Sequence, residues 1–232
     1  MKRVLTLIFV CFSLLSVSVA QNAPAARTDV YHVHFTAAAP SKAIQLADFL
    51  KTSDPKDPMS GHRLVLRHQY GDAWDYVVIQ HLGSKATVEA AGNPAPKAAR
   101  DASAWHTDTF VNGPAWPEFV RAMGLGDQSA KTAGAVYVVS VYRTVPGHRD
   151  ELEKALSAAP AVGDTSAGTI VMQHLEGGAW NYLGVIRFNS WQDLAANENN
   201  GRAQMMKNEG GWFELRDHAA FHNDTVTDRI AP

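Results

Sequence analysis

Cysteine is almost missing from this 232-residue chain: the only one, Cys11, lies in an apolar run near the amino terminus. Residues 21–232 hold none, which excludes disulfides, thiolate nucleophiles and cysteine-ligated metals from that part of the protein. Basic charge is also scarce. The formal net charge is −2, and setting aside the first twenty residues with Lys2 and Arg3 takes it to −4, a poor match to nucleic acid or to an anionic membrane surface. After Val4–Leu15 no stretch approaches the length of about 20 apolar residues that a membrane helix needs. Phosphate-binding glycine loops, His-Glu-x-x-His zinc sites, Gly-x-Ser-x-Gly elbows, Cys-x-x-Cys-His haem attachment and dinucleotide fingerprints are all lacking. Hydrolase and dehydrogenase chemistry is thereby demoted.

What is present starts with a secretory pattern. Lys2 and Arg3 precede the apolar run, and Ser18-Val19-Ala20 offers small residues at the −3 and −1 positions before Gln21. Residues 1–20 therefore read as a signal peptide and the mature protein as periplasmic or secreted, free of the membrane after cleavage. Val10 before Cys11 argues against a lipid-attachment site. Residues 21–29, rich in Ala and Pro, read as a mobile leader.

The rest is dominated by a repeat. His68-Gln-Tyr-Gly-Asp-Ala-Trp-Asp-Tyr76 returns 106 positions later as His174-Leu-Glu-Gly-Gly-Ala-Trp-Asn-Tyr182. An ungapped match runs from Val30 against Val136 to Ser84 against Ser190. A second motif, Arg100-Asp-Ala-Ser-Ala-Trp-His-Thr-Asp-Thr109, matches Arg216-Asp-His-Ala-Ala-Phe-His-Asn-Asp-Thr225 at an offset of 116, so the second copy carries ten extra residues, placed in Asn197–Gly211. Two α+β repeats follow, 30–112 and 134–232, joined at 113–133 by a linker with a short helix at Pro117–Met123.

Each repeat has a legible order. Tyr31–Phe35 and Val136–Tyr142 are rich in aromatic and β-branched residues and read as first strands. Pro40 and Pro146 break them, and Leu46, Phe49, Leu50 and Leu152, Ala155, Leu156 follow at helical spacing. Arg63–Tyr70 and Thr169–Glu176 alternate as strands. Gly71-Asp72 and Gly177-Gly178 then read as two-residue hairpin turns, with return strands from Trp74 and Trp180. An Ala-rich stretch predicts a helix running into the second motif, and a fourth strand is not evident in either repeat.

Strand, helix, hairpin and helix, occurring twice, resemble the dimeric α+β barrel superfamily over residues 30–232. That group includes small antibiotic-biosynthesis-type monooxygenases, muconolactone-isomerase-like proteins, stress-responsive barrel proteins, chlorite dismutases and dye-decolourising peroxidases. The resemblance implies an α+β fold of two tandem ferredoxin-like units whose antiparallel sheets face each other as an intramolecular barrel. It carries no family-specific catalytic motif.

Within that frame Tyr31, Val33, Phe35 and Tyr137, Val139, Val141 read as the helix-packed faces of the first strands. The barrel interior would then receive His32 and His34 from one repeat and Val138, Ser140 and Tyr142 from the other. His68 and His174 end their strands at the barrel mouth, each able to act as a base or a haem or metal ligand, or to hold its turn by a local hydrogen bond. His106 with Asp108 and His222 with Asp224 share a face if on a strand, but a helix end capped by Asp or Thr is the preferred reading. The tryptophans Trp74 and Trp180 read as core.

The leading functional expectation is an exported protein that holds a small apolar or aromatic molecule between its sheets, through His32, His34, His68, Ser140, Tyr142 and His174. Its rivals are an oxidoreductase or monooxygenase-type enzyme, dependent on haem, on a metal or on no cofactor, with His34 and His68 as catalytic candidates, and a structural or interaction module. The cofactor is unknown, since neither haem nor metal has a motif here, and a homo-oligomer is left open. His32 and His34 stand out because there the two repeats differ.

Overall fold

A computed structural model of the chain describes residues 26–53, 55, 59–83, 96–207 and 211–232. Among these are eight strands and six α-helices. In the first half they are β1 (Arg27–Ala38), α1 (Ala43–Lys51), β2 (Arg63–Tyr70), β3 (Tyr76–Gly83), α2 (Lys97–Ala102) and β4 (Ser103–Pro114). Helix α3 (Trp116–Met123) follows, closed by Gly124 in the left-handed conformation. The second half holds β5 (Val136–Thr144), α4 (Arg149–Leu156), β6 (Gly168–Glu176), β7 (Tyr182–Phe188), α5 (Trp191–Met205), α6 (Trp212–His218) and β8 (Ala219–Ala231). Among the described residues no helix is long and apolar enough to cross a membrane.

The strands form one antiparallel sheet closed into a barrel, in the order β1-β3-β2-β8-β5-β7-β6-β4. Read around the ring, β4-β1-β3-β2 is followed by β8-β5-β7-β6, the same order in each half. Closure removes every sheet edge, and with it the unpaired backbone groups that an open sheet exposes. Two strands that the sequence did not reveal, β4 and β8, make this possible. β4 pairs with both β1 and β6, and β8 with both β2 and β5. In each half a short helix passes into the strand without an intervening loop, at Ala102 to Ser103 and at His218 to Ala219. This corrects the helix-end reading of the His-x-Asp pairs, which stand on strands.

The interior of the barrel is filled by apolar side chains from both halves. Tyr31, Val33, Phe35, Leu64, Leu66, Val77 and Ile79 pack with Tyr137, Val139, Ile170, Met172, Leu183 and Val185 in a single cluster. Helix α3 adds Phe119 and Met123 to it, and the hydroxyls of Tyr31 and Tyr137 donate to the carbonyls of Pro114 and Met123. The facing assigned from sequence is therefore inverted. The more uniformly apolar face of each first strand points inward, because a barrel interior is drier than a surface only partly covered by helices. His32 and His34 lie on the outer face, under α1 and α2.

Three smaller clusters hold the helices to the outer face. Leu46 and Ala47 of α1 and Ala102 of α2 pack on Tyr76, while α5 packs Leu194 on Val136, Phe188 and Val226. Leu152 of α4 and Ala219 pack with Tyr142 and Tyr182.

The repeated hairpin has a longer connection than two residues. Residues 71–75 link β2 to β3, and Trp74 sits in that loop with its ring turned back into the barrel cluster. Its glycine has a positional reason. Gly71 (φ 135°) rests on β8, where an added Cβ would lie 2.6 Å from the Asp224 carbonyl oxygen, and the Asp72 amide donates to Thr225 Oγ1 at 3.2 Å. The copy mirrors it: a Cβ on Gly177 (φ 114°) would lie 2.2 Å from the Asp108 oxygen, and the Gly178 amide donates to Thr109 Oγ1 at 3.0 Å. Each half's hairpin thus presses on the other half's His-x-Asp-Thr strand.

Residues 1–20, read as a signal peptide, lie outside the described residues, as do residues 21–25 of the leader. The remainder of the leader is not loose. Arg27 and Asp29 belong to β1, where Arg27 pairs with Glu153 while Asp29 accepts from His81 Nε2 at 2.8 Å and from the Trp116 amide at 3.1 Å.

Candidate functional site

Alternation along two paired strands builds the site. On β1, His32, His34 and Thr36 share the outer face, and the β4 register sets Phe110, Asp108 and His106 opposite them. The ladder thus fixes the backbone of all six positions, leaving only side-chain rotamers to bring the groups together. His32 Nε2 lies 2.7 Å and His34 Nδ1 2.8 Å from the same oxygen, Asp108 Oδ1. His106 adds a looser contact, its Nε2 at 3.4 Å from Asp108 Oδ2 and its ring 5.2 Å from that of His34.

A carboxylate can only accept, so the nitrogens facing Asp108 carry the protons and the other nitrogen of each neutral ring keeps a lone pair. Hydrogen bonds from His32 and then His34 outweigh the opposing effect of burial and hold the Asp108 carboxyl well below the usual carboxylate range. Burial lowers the proton affinity of His34, and the hydrogen bond and charge of Asp108 only partly offset it. The two directions agree on one state: Asp108 is ionised, and His34 is a neutral donor through Nδ1 with a basic Nε2.

This polar group forms one wall of a cavity of about 1120 Å³ between the outer face of the sheet and helices α1 and α2. The other walls are largely apolar, with Leu46, Phe49 and Leu50 from α1, Ala99 from α2 and Trp105, beside the polar Thr52, Ser53 and Arg100. A large, mostly apolar cavity with a few convergent polar groups has the form of a small-molecule site.

The second half keeps the strands but not the site. Val138 and Ser140 stand where His32 and His34 stand, and Tyr142 replaces Thr36. The Tyr142 ring stacks on His222 at 6.1 Å, packs near Gly184 and is buried, with its hydroxyl pKa pushed up to about 12, first by burial and then by Asp224. A phenol in place of a threonine side chain occupies this position, and His222 and Asp224 lie 3.7 Å apart beside it.

Of the six residues expected to bind a ligand, only His32 and His34 line this cavity. Ser140 and Tyr142 share the outer face of β5, on the other half's helix side, and do not face the histidines across the barrel. His68 and His174 follow Leu66 and Met172 on the inward face, against Trp74 and Trp180 at 5.9 and 5.6 Å. Their Nε2 atoms are buried without a hydrogen-bond partner, and neither ring lines the cavity. Asp108 and His106 were visible in the sequence as a repeated pair. The signal that could have placed them is the period of two shared by His32-x-His34 and His106-x-Asp108, which fits a pair of neighbouring strands.

No protein-family model matches the chain, and no curated protein matches it. Solved structures are. An anthrone oxidase-like protein is 13% identical, with 88% of this chain and 92% of that one covered at a TM-score of 0.62. The encapsulated DyP-type peroxidase from Mycobacterium smegmatis is 12% identical, with 90% and 96% covered at 0.48. A major regulator of staphylococcal pathogenesis is 10% identical, with 87% and 99% covered at 0.46. The first likeness shows a shared fold, an antiparallel-sheet α+β architecture. At such identities fold does not carry function.

Proposed function

We propose that the protein binds a small, planar, largely apolar molecule in the cavity beneath α1 and α2, and that His34 takes a proton from that molecule. The observation that carries this reading is the convergence of His32 and His34 on one oxygen of Asp108, at 2.7 and 2.8 Å, in the wall of a cavity whose apolar lining includes Leu46, Phe49, Leu50 and Trp105. Asp108 fixes the His34 tautomer through Nδ1, which leaves Nε2 as the base. The substrate class that suits these walls is an aromatic ring bearing an acidic hydroxyl or an enolisable C–H. Proton removal leaves a resonance-stabilised anion, which gives up electrons more readily than the neutral ring. An oxidoreductase role would build on that step, and the anthrone oxidase-like protein with this fold supports it by likeness alone.

The test uses a panel of naphthols and anthrone-like ketones whose anions absorb at longer wavelength. Wild-type protein should bind them and show the anion spectrum below the pH at which the free compound ionises. Asp108→Asn and His34→Gln should bind the neutral form. Binding without any anion band in the wild type would overturn the acid–base role, and no binding across the panel would overturn the ligand class.

Two further readings belong to this proposal. The chain is a tandem duplication of a ferredoxin-like unit, one copy of which keeps an open site while the other has closed it with Tyr142. The recurring strand order and the crosswise hairpin contacts support this. The mature protein is exported, on the composition of residues 1–20. Amino-terminal sequencing of protein recovered outside the cytoplasm should begin at Gln21, and a start at Met1 would contradict it.

A further inference from the structure

We infer that His32, His34 and Asp108 form a three-ligand site for one divalent first-row transition metal, open on the side of the cavity. The inference does not rest on the acid–base reading: a metal-bound His34 carries its proton on Nε2 and is no longer that base, and the test uses the metal alone. Among the described residues this is the set of three His and carboxylate groups whose donor atoms converge, all lying within 4.8 Å of one another. The two nitrogens already sit 2.7 and 2.8 Å from the carboxylate oxygen. With metal–ligand bonds of about 2.1 Å, neighbouring donors in an octahedral shell stand roughly 3.0 Å apart, so both His–Asp separations already suit a metal shell and side-chain shifts would draw the three donors around the ion. Such shifts need no change in the ladder, because the three residues come from the paired strands β1 and β4, with His34 directly opposite Asp108.

Each neutral imidazole offers the nitrogen now facing Asp108 by moving its proton to its other nitrogen, so no net charge need be expelled. Two imidazoles and one carboxylate form a set suited to Fe(II), Co(II) or Zn(II), in contrast to the all-oxygen shells of Mg(II) and Ca(II). Three protein ligands leave positions for water or a substrate oxygen, and Thr36, Ser103 and His106 line the same cavity. His106, with Nε2 at 3.4 Å from the other carboxylate oxygen, is placed to orient Asp108 or to join the shell. The second half provides an internal comparison. His222 and Asp224 remain there, but Val138 and Ser140 remove both β1-type imidazoles.

The experiment is calorimetric titration of untagged, metal-stripped mature protein with Zn(II), paralleled by Co(II) followed through its visible d–d bands. One equivalent should bind to the wild type and raise its melting temperature. His32→Ala, His34→Ala and Asp108→Asn should each weaken binding by roughly 100-fold or more, while His222→Ala leaves it unchanged. Circular dichroism of each variant reports whether it is folded. Should one fail to fold, protection of His32 and His34 in the wild type from diethylpyrocarbonate by Zn(II), read by mass spectrometry, tests the same assignment. Wild-type protein that takes up no stoichiometric metal, or that keeps its affinity when these ligands are removed, or whose His32 and His34 stay reactive with Zn(II) present, would overturn it.

Discussion

Gly177→Ala should cost more stability than its position at a hairpin tip suggests, and it should also damage a site to which that hairpin contributes no side chain. Gly177 holds φ 114°, a conformation L side chains rarely adopt, and an added Cβ would stand 2.2 Å from the Asp108 oxygen and 2.8 Å from Thr109 Cα. The backbone strain contributes about 1–2 kcal/mol and the overpacking about 1–3 kcal/mol, a loss of roughly 2–5 kcal/mol. For a chain of this length each kcal/mol lowers the melting temperature by about 2–4 °C. Gly147→Ala isolates the first contribution, since Gly147 has φ 87° and no atom within 4 Å of its added Cβ. Gly71→Ala separates stability from function. It meets β8 at Asp224 and Thr225, so it should destabilise comparably while leaving His32, His34 and Asp108 in register. Thermal and urea denaturation of the three variants, with naphthol or Zn(II) binding measured well below the melting temperature, provides the comparison. Equal losses in Gly177→Ala and Gly147→Ala would refute the contact argument, and equal binding in Gly177→Ala and wild type would refute its transmission to Asp108.

Acidification should destabilise the protein through the same cluster. An unfolded histidine takes up a proton near pH 6.5 that folded His34 resists, so stability falls as pH drops below that value, and the contribution of ionised Asp108 is present above about pH 3.9 and lost as pH falls through its lower folded value. Urea midpoints measured from pH 7 to pH 4 should decline more steeply in Asp108→Asn than in wild type, because Asp108 is the group that offsets burial at His34; parallel or shallower slopes would contradict this. Thr109→Val and Thr225→Val each remove one acceptor for a hairpin amide and should cost about 0.5–1.5 kcal/mol apiece, with the double variant close to their sum. Tyr142→Ala should cost about 3–5 kcal/mol as a buried aromatic truncation, and opening the second half's cavity this way should not create metal binding, because His32 and His34 have no counterparts there.

Much of this architecture was legible because local chemistry and global fold agree. The β-branched first strands, the helices at Leu46 and Leu152 and the strands leading to Gly71 and Gly177 all stand where periodicity places them. Beyond that, three features were hidden for identifiable reasons. β4 and β8 follow helices without a loop, so the alanines of Arg100–Ala104 masked a change of period. The inward and outward faces of β1 were exchanged because both can bury apolar residues, and only barrel closure decides which is drier. The tryptophan of the hairpin reads as a strand residue but packs from a loop, since residues 71–75 are drawn against the opposite half. For the site, His32 and His34 were recognisable as the place where the halves differ. Their partner Asp108 lies 74 residues beyond His34, and only the register of β1 with β4 brings it within hydrogen-bonding distance.

The central claim is that ligands enter beneath α1 and α2 and not the barrel interior. Histidine ring carbons, labelled with ¹³C and observed by NMR during titration with a naphthol, test it directly. The resonances of His32, His34 and His106 should move in wild-type protein and stay still in Ala99→Trp, which fills the cavity from α2. Shifts confined to His68 and His174, on the inward face, would contradict the account.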